Sequence, residues 1–201
     1  MEIISYTSAD VDGLVERLQA GAVIVYPTET CYGLGCDARN AAAVRKIFAI
    51  KQRQEDKSLL VVVANTGMLH EYIEWGSALE RLSRRYWPGP LTVVTRARPE
   101  CTLPPGVLAP DHTLAFRVTS HPLAAALSSG LDGPLVSTSS NISSQESAYD
   151  IETVCASFGA AAVQPDIVID AGPLPHHNPS TVVRVEHGTL TVLRQGEIVV
   201  H

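Results

Sequence analysis

The chain has 201 residues, 45% hydrophobic and 18% charged, with a formal net charge of −6. That is enough for one large globular domain or two small ones, and a domain of this size buries roughly 70% of its unfolded surface, so no covalent staples are needed. The composition excludes a disordered chain, and the acidity excludes a nonspecific nucleic-acid coat, while leaving room for a local basic groove.

Residues 1–7 read as a short edge strand. A helix follows from Ser8, with Val11, Leu14, Val15 and Leu18 on one face and Gly21 as its stop. The apolar run at 22–26 is a buried strand that ends at Pro27. The next loop, Pro27-Thr28-Glu29-Thr30-Cys31-Tyr32-Gly33-Leu34-Gly35, mixes hydroxyls, one carboxylate and two glycines. Such loops leave the strand ends where open α/β sheets bind ligands, and glycine lets backbone approach a ligand closely. Asn40 caps a helix carrying Val44, Ile47, Phe48 and Lys51 at spacings of 3, 4 and 3. Its end, Lys51-Gln52-Arg53-Gln54-Glu55-Asp56-Lys57, collects three cations that suit a polyphosphate or a carboxylate, or complement the helix dipole. As helix-end side chains, Lys51 and Arg53 are expected to be exposed.

Residues 59–64 form a second buried strand, and 66–75 and 77–86 read as helical, closed by Trp87-Pro88-Gly89-Pro90. Strands follow at 91–95 and 113–118, separated by a long irregular loop with four prolines. A short helix at 122–127 leads to a strand at 134–137, which runs into Thr138-Ser139-Ser140-Asn141. A helix at 151–158 and a strand at 166–170 precede a loop containing His176 and His177. Residues 180–185 and 190–193 form a hairpin. Helix–strand alternation followed by an antiparallel pair implies an α/β fold with a mixed sheet.

Cys31, Cys36, Cys101 and Cys155 form no C-x-x-C pair, so free thiols in a reducing compartment are expected. The N-terminus lacks a signal-peptide pattern, and no apolar run approaches the ~18 residues of a membrane span, so a cytoplasmic protein without membrane contact is expected.

The features at strand ends are the Thr28 loop, the Lys51/Arg53/Lys57 cluster, Arg117 and the 139–141 loop, with Ser180 and Arg194 flanking the hairpin. They offer cations, hydroxyls and an amide, but no nucleophile–base pair and no carboxylate cluster to hold a metal. Such a set binds and orients charged small molecules, which is most of what phosphoryl and nucleotidyl transfer needs. Arg117, inside an apolar strand, must be compensated: it either pairs with a structural carboxylate or binds an anionic substrate. His121, His176 and His177 read as turn and loop residues, and Cys31 and Cys36 as packing thiols.

The combined pattern resembles the YrdC/TsaC family, the threonylcarbamoyl-AMP synthases. The resemblance runs through YPTETCYGLGCDA at 26–38, KIFAIKQR at 46–53, YWPGPLTVV at 86–94, FRVTSHPL at 116–123, VSTSSN at 136–141, and STVVRV with LRQG at 180–185 and 193–196. It implies one domain over 1–201 in the short form of the family, an open twisted mixed sheet with flanking helices and a deep concave ligand face. It implies formation of threonylcarbamoyl-AMP and pyrophosphate from L-threonine, bicarbonate and ATP, with Mg²⁺ expected on the triphosphate. Downstream proteins that transfer the group to tRNA are implied partners, with at most weak tRNA contact by this chain.

By the same resemblance, Lys51 and Arg53 are the candidate catalytic residues. ATP is met by Lys51, Arg53, Lys57, Thr113, Asn141, Ser147, Tyr149 and Arg194, and threonine by Thr28, Arg117, Ser139 and Ser180. The chain departs from the family pattern at Gln54, Ser140, and Ser143 with Ser144, positions that bear on loop rigidity and the adenine pocket. Two other readings stand beside the synthase: an RNA-binding maturation factor without catalysis, and a paralogue that transfers a carbamoyl group from a carbamoyl-adenylate.

Overall fold

Apolar runs that alternate with amphipathic segments fold into two sheets with helices against them. In the computed structural model, which describes residues 1–54, 57–142 and 146–201, the order is β1 (Glu2–Ser5), α1 (Val11–Gln19), β2 (Ile24–Pro27), β3 (Tyr32–Gly35), α2 (Ala41–Lys51), β4 (Val61–Val63), α3 (Ser77–Tyr86), β5 (Leu91–Arg96), β6 (Thr113–Val118), α4 (Pro122–Leu131), β7 (Leu135–Val136), β8 (Thr138–Ser139), α5 (Ile151–Phe158), β9 (Ile167–Asp170), β10 (Thr181–Glu186) and β11 (Thr189–Arg194). The helical stretch expected at 66–75 is a shorter 3₁₀ helix, Thr66–Glu71. No helix among the described residues is long and apolar enough to cross a membrane.

The expected mixed sheet is present as two. One runs β1-β9-β2-β3-β8 and the other β11-β10-β5-β6-β4-β7. In the first, β1, β9 and β2 are parallel, while β3 pairs antiparallel with β2 and β8. In the second, β10 with β5 and β6 with β4 are the parallel pairs. Strand β2 is buried throughout because both faces are covered: Val25 joins the main core, while Ile24 and Tyr26 join a second cluster beneath α1 and α4. Strand β4 is divided the same way, with Val61 and Val63 on one side and Val62 on the other. A continuous apolar run, in place of alternation, is what such two-sided burial requires.

Three local features place the site. Asn40 caps α2, its Oδ1 accepting from the amides of Ala42 and Ala43, both at 3.1 Å, which fixes where the helix starts and so where Lys51 ends. Residues 32–35, read above as loop, are strand β3. Gly35 serves close packing and not a ligand: a Cβ there would lie 2.2 Å from the Val136 carbonyl oxygen and 2.8 Å from the Tyr26 ring. Finally, β7 and β8 are one extended segment that changes sheets at Ser137, pairing with β4 before and β3 after. That crossing delivers Ser139 and Asn141 to the seam between the sheets.

The proline-rich loop at 97–112 is irregular but packed: Leu103 and Val107 are buried in the main core, and the Gly106 carbonyl accepts from the Leu59 amide at 2.7 Å.

Candidate active site

A cavity of about 440 Å³ opens where the two sheets meet. The first sheet contributes Thr28, Thr30, Cys31 and Gly33 from the β2–β3 hairpin, with Thr138 and Ser139 from β8. The second contributes Thr92, Ala115, Arg117, Ser180, Val182 and Arg194, and Ser147, Tyr149 and His177 come from the loops between. A second lobe of about 470 Å³ holds Lys51, Gln52, Arg53, Gln54, Lys57, Ser139 and Asn141. Arg53 and Ser139 line both lobes. The Thr28 loop, the cation cluster, Arg117, the 139–141 loop, Ser180 and Arg194 are therefore brought together.

Arg117 is 2% exposed. Both alternatives raised by the sequence apply to it. Its Nε lies 3.3 Å from Glu29 Oε1, an ion pair with the carboxylate of the PTET loop. Its buried Nε makes no hydrogen bond among the described residues, the Glu29 contact included, and the residue lines the cavity. Arg194 stands nearby, its Nη2 donating to the Ser180 carbonyl at 2.8 Å, and Ser180 Oγ lies 2.8 Å from Thr92 Oγ1. Burial, and then the neighbouring Arg117 charge, push the Arg194 guanidinium below its usual range. Two like charges held near each other in a low-dielectric wall favour an anion between them.

Lys51 corrects the expectation of an exposed helix-end cation. It is 2% exposed. Its Nζ donates to the Ser139 carbonyl and, at 2.8 and 3.0 Å, to the carbonyl and Oδ1 of Asn141. The i, i+3, i+4 register that buries Val44, Ile47 and Phe48 carries Lys51 inward with them. An ammonium has three protons, and all three are used on the 139–141 loop. Ser139 Oγ also donates to Asn141 Oδ1, so lysine, serine and asparagine form one unit. Burial, followed by the Arg53 charge, lowers the Lys51 pKa from 10.5 to about 8. Arg53 is half-buried, with Nη2 donating to the Ser58 carbonyl at 3.1 Å, and Lys57 is exposed on the open lobe.

Thr28 lines the cavity, but its hydroxyl organises its own turn. It donates to the Cys31 carbonyl at 2.7 Å and accepts from the amides of Thr30 and Cys31 at 3.2 and 3.3 Å. Ser147 and Tyr149 line the cavity as expected; Tyr149 stacks on His176, ring centroids 4.0 Å apart, and donates to the His177 carbonyl. Thr113 is not brought to these residues. It lies four positions before Arg117 on β6, in a separate cavity with Asp111 and Arg184, and its hydroxyl donates to Asp111 Oδ1 at 2.7 Å. Ser140 is fully buried and its hydroxyl has no partner among the described residues, while Ser143 and Ser144 lie outside them.

Sequence reasoning missed Glu29 as the partner of Arg117, and it missed Thr92 and His177 in the wall. Half of the Glu29 signal was present: an arginine in an apolar strand needs a carboxylate, but nothing local says that the one in the PTET loop, at a strand end of the other sheet, supplies it. Cys31 also lines the cavity, but burial raises its thiol pKa, which suits packing better than attack.

Fold and site together define an α/β protein with a cavity lined by cations and hydroxyls at a sheet seam. The Sua5/YciO/YrdC family model, described as "Telomere recombination", matches residues 16–196, and the chain belongs to that family. A threonylcarbamoyl-AMP synthase of Thiobacillus denitrificans is 39% identical over 179 residues, covering 89% of this chain and 92% of the relative. One from Vibrio vulnificus is 35% identical over 191 residues, 94% of this chain and 99% of the relative. Among solved structures, P. abyssi Sua5 complexed with L-threonine matches with a TM-score of 0.86 at 28% identity, over 97% of this chain, and this chain spans 57% of that longer one. E. coli YciO matches with a TM-score of 0.82 at 28% identity, over 97% of this chain and 94% of that one.

Proposed function

We propose that this protein is a threonylcarbamoyl-AMP synthase, a nucleotidyltransferase that joins L-threonine, bicarbonate and ATP and releases pyrophosphate. The observation that carries the reading is the seam cavity, which Arg53, Arg117 and Arg194 all line in a protein of net charge −6. The curated relatives of nearly equal length bear that name, and the threonine complex of a structural neighbour agrees with it. We assign residues 1–201 to a single YrdC-like domain.

Threonine's carboxylate pairs with the terminal nitrogens of Arg117, with Ser180, Ser139 and the Thr28 turn enclosing the rest of the amino acid. The triphosphate lies in the lobe of Arg53 and Lys57, and the nucleoside lies toward Ser147, Tyr149 and Arg194. Lys51 acts on the nucleotide through the 139–141 loop that it holds, presenting Asn141. The threonine amine attacks bicarbonate carbon, water leaves, and the carbamate oxygen attacks the α-phosphorus as pyrophosphate departs. Each step brings anions together, and fixed guanidinium groups lower that repulsion without reorganising. Among the described residues no group of three acidic, histidine or cysteine side chains could cage a metal. The donors around the site are cations and hydroxyls, so Mg²⁺ fits as part of the nucleotide complex, held by phosphate oxygens.

The product feeds tRNA threonylcarbamoyladenosine formation through separate transfer proteins. Pyrophosphate release tests the reading: it should require ATP, threonine and bicarbonate together. Release without threonine, or none from folded protein, contradicts it.

A further inference from the structure

Behind the cavity wall stands a group that the reaction scheme does not use. Glu29 is only slightly exposed, with 12% of its side-chain surface accessible, and it meets Arg117 on the Nε side. Its other oxygen, Oε2, accepts from Thr119 Oγ1 at 2.9 Å. Thr119 is buried, and its hydroxyl in turn accepts from the His121 amide at 3.1 Å. A chain of contacts therefore runs from the backbone at the start of α4, through Thr119 and Glu29, to the guanidinium of Arg117. Glu29 Oε1 and Arg117 Nε are both buried and make no hydrogen bond among the described residues, so their 3.3 Å contact is an ion pair without hydrogen-bond geometry, each the other's charge counterpart.

A guanidinium is planar, so a carboxylate held on its Nε side by charge biases where its outer edge points. Glu29 occupies the inner edge. The outer edge, bearing Nη1 and Nη2, is left for a ligand in the cavity.

We propose that Glu29, held by Thr119, is a positioning residue that aims the Arg117 fork at the carboxylate of the amino-acid substrate and so sets affinity for that substrate alone. This rests on the synthase reading for the identity of the substrate, but the orientation of Arg117 can be read without it. The alternative role, simple charge compensation, makes the opposite forecast. Removing the Glu29 charge would then leave Arg117 more attractive to an anion, and threonine would bind more tightly.

Three variants separate the two roles. Glu29→Gln keeps the shape and removes the charge, Thr119→Val removes the hydroxyl donor, and Thr119→Ser restores it. In Glu29→Gln the threonine KM should rise about ten- to a hundredfold, the range seen when partners that orient metal-ligating side chains are removed. In Thr119→Val it should rise less, in Thr119→Ser it should return toward wild type, and in all three ATP affinity and kcat at saturating threonine should hold. The Arg117 Nε–H signal in nitrogen-15 NMR should be sharp and protected in the wild-type and Thr119→Ser proteins and broadened in the other two.

An unchanged or lower threonine KM in folded Glu29→Gln overturns the proposal. So does equal loss of ATP and threonine affinity with a fall in melting temperature, which would make the pair a fold element only. If Glu29→Gln fails to fold, the Thr119 pair replaces it: a threonine KM that is the same in Thr119→Val and Thr119→Ser overturns the proposal. If the wild-type protein turns over ATP without regard to threonine, the synthase reading fails instead, and the Arg117 signal alone decides whether Glu29 orients it.

Discussion

Replacing Lys51 separates its two roles, stem and ammonium. The side chain is 2% exposed and its charge is spent on three acceptors in the 139–141 loop. Lys51→Ala removes three buried methylenes beyond Cβ, worth about 0.8 kcal/mol each or roughly 2.4 kcal/mol together. It also leaves the Ser139 and Asn141 carbonyls without their donor, at a cost of about 1–3 kcal/mol for a buried group, near the low end here because the adjoining lobe is open. Against this stands the relief of burying a charge, expressed in a pKa lowered from 10.5 to about 8. The acceptor and charge terms are common to both variants, so the balance predicts Lys51→Ala to be about 2 kcal/mol less stable than Lys51→Met, which keeps the stem and sheds the charge. Both variants should lose most of their turnover, because neither holds the loop. Urea unfolding at pH 7, paired with pyrophosphate release, is the assay. Lys51→Ala as stable as Lys51→Met would refute the structural argument, and full turnover by Lys51→Met would refute the loop-holding role.

Titration, burial and substrate choice give the remaining tests. With the folded Lys51 pKa at about 8, the unfolded chain binds more protons between about pH 8 and 10.5; wild-type stability relative to Lys51→Met should therefore rise across that window by up to about 3 kcal/mol while turnover falls, and a flat or falling difference in urea midpoints would contradict this. Ser140→Ala should stabilise the fold by about 1 kcal/mol or more, because the Ser140 hydroxyl is fully buried without a partner among the described residues; an unchanged or lower melting temperature would show that the hydroxyl is satisfied. Arg117→Lys should weaken threonine binding by calorimetry while sparing ATP, since an ammonium cannot pair with Glu29 and present a fork at once. Valine, lacking the hydroxyl, should be rejected more strongly than serine in competition for turnover, since serine lacks only a methyl worth about 1–3 kcal/mol.

The elements were legible where period and capping agree, as in α2 with Asn40 and in the doubly covered β2. Strand β3 was not, because Tyr32-Gly33-Leu34-Gly35 reads as a glycine loop until the Val136 carbonyl is known to pass beside Gly35. Lys51 shows two local signals in conflict. Its spacing placed it with the buried face of α2, while its charge and position at the helix end argued for solvent. Spacing won because acceptors about ninety residues away, delivered by the β7–β8 crossing, satisfy the ammonium. No local pattern carries that information. The same holds for Glu29, whose partner sits on a strand of the other sheet. The site residues gathered by resemblance share one seam, apart from Thr113, which the direction of β6 carries into a different cavity.

Whether the seam cavity joins all three substrates can be read from the product itself, by mass spectrometry after incubation with ATP, Mg²⁺, threonine and isotopically labelled bicarbonate. A synthase yields an adenylate that carries both the threonine and the labelled carbon, and that is absent when any one substrate is withheld. A folded protein that yields only AMP, or an adenylate without the labelled carbon, would contradict the assignment.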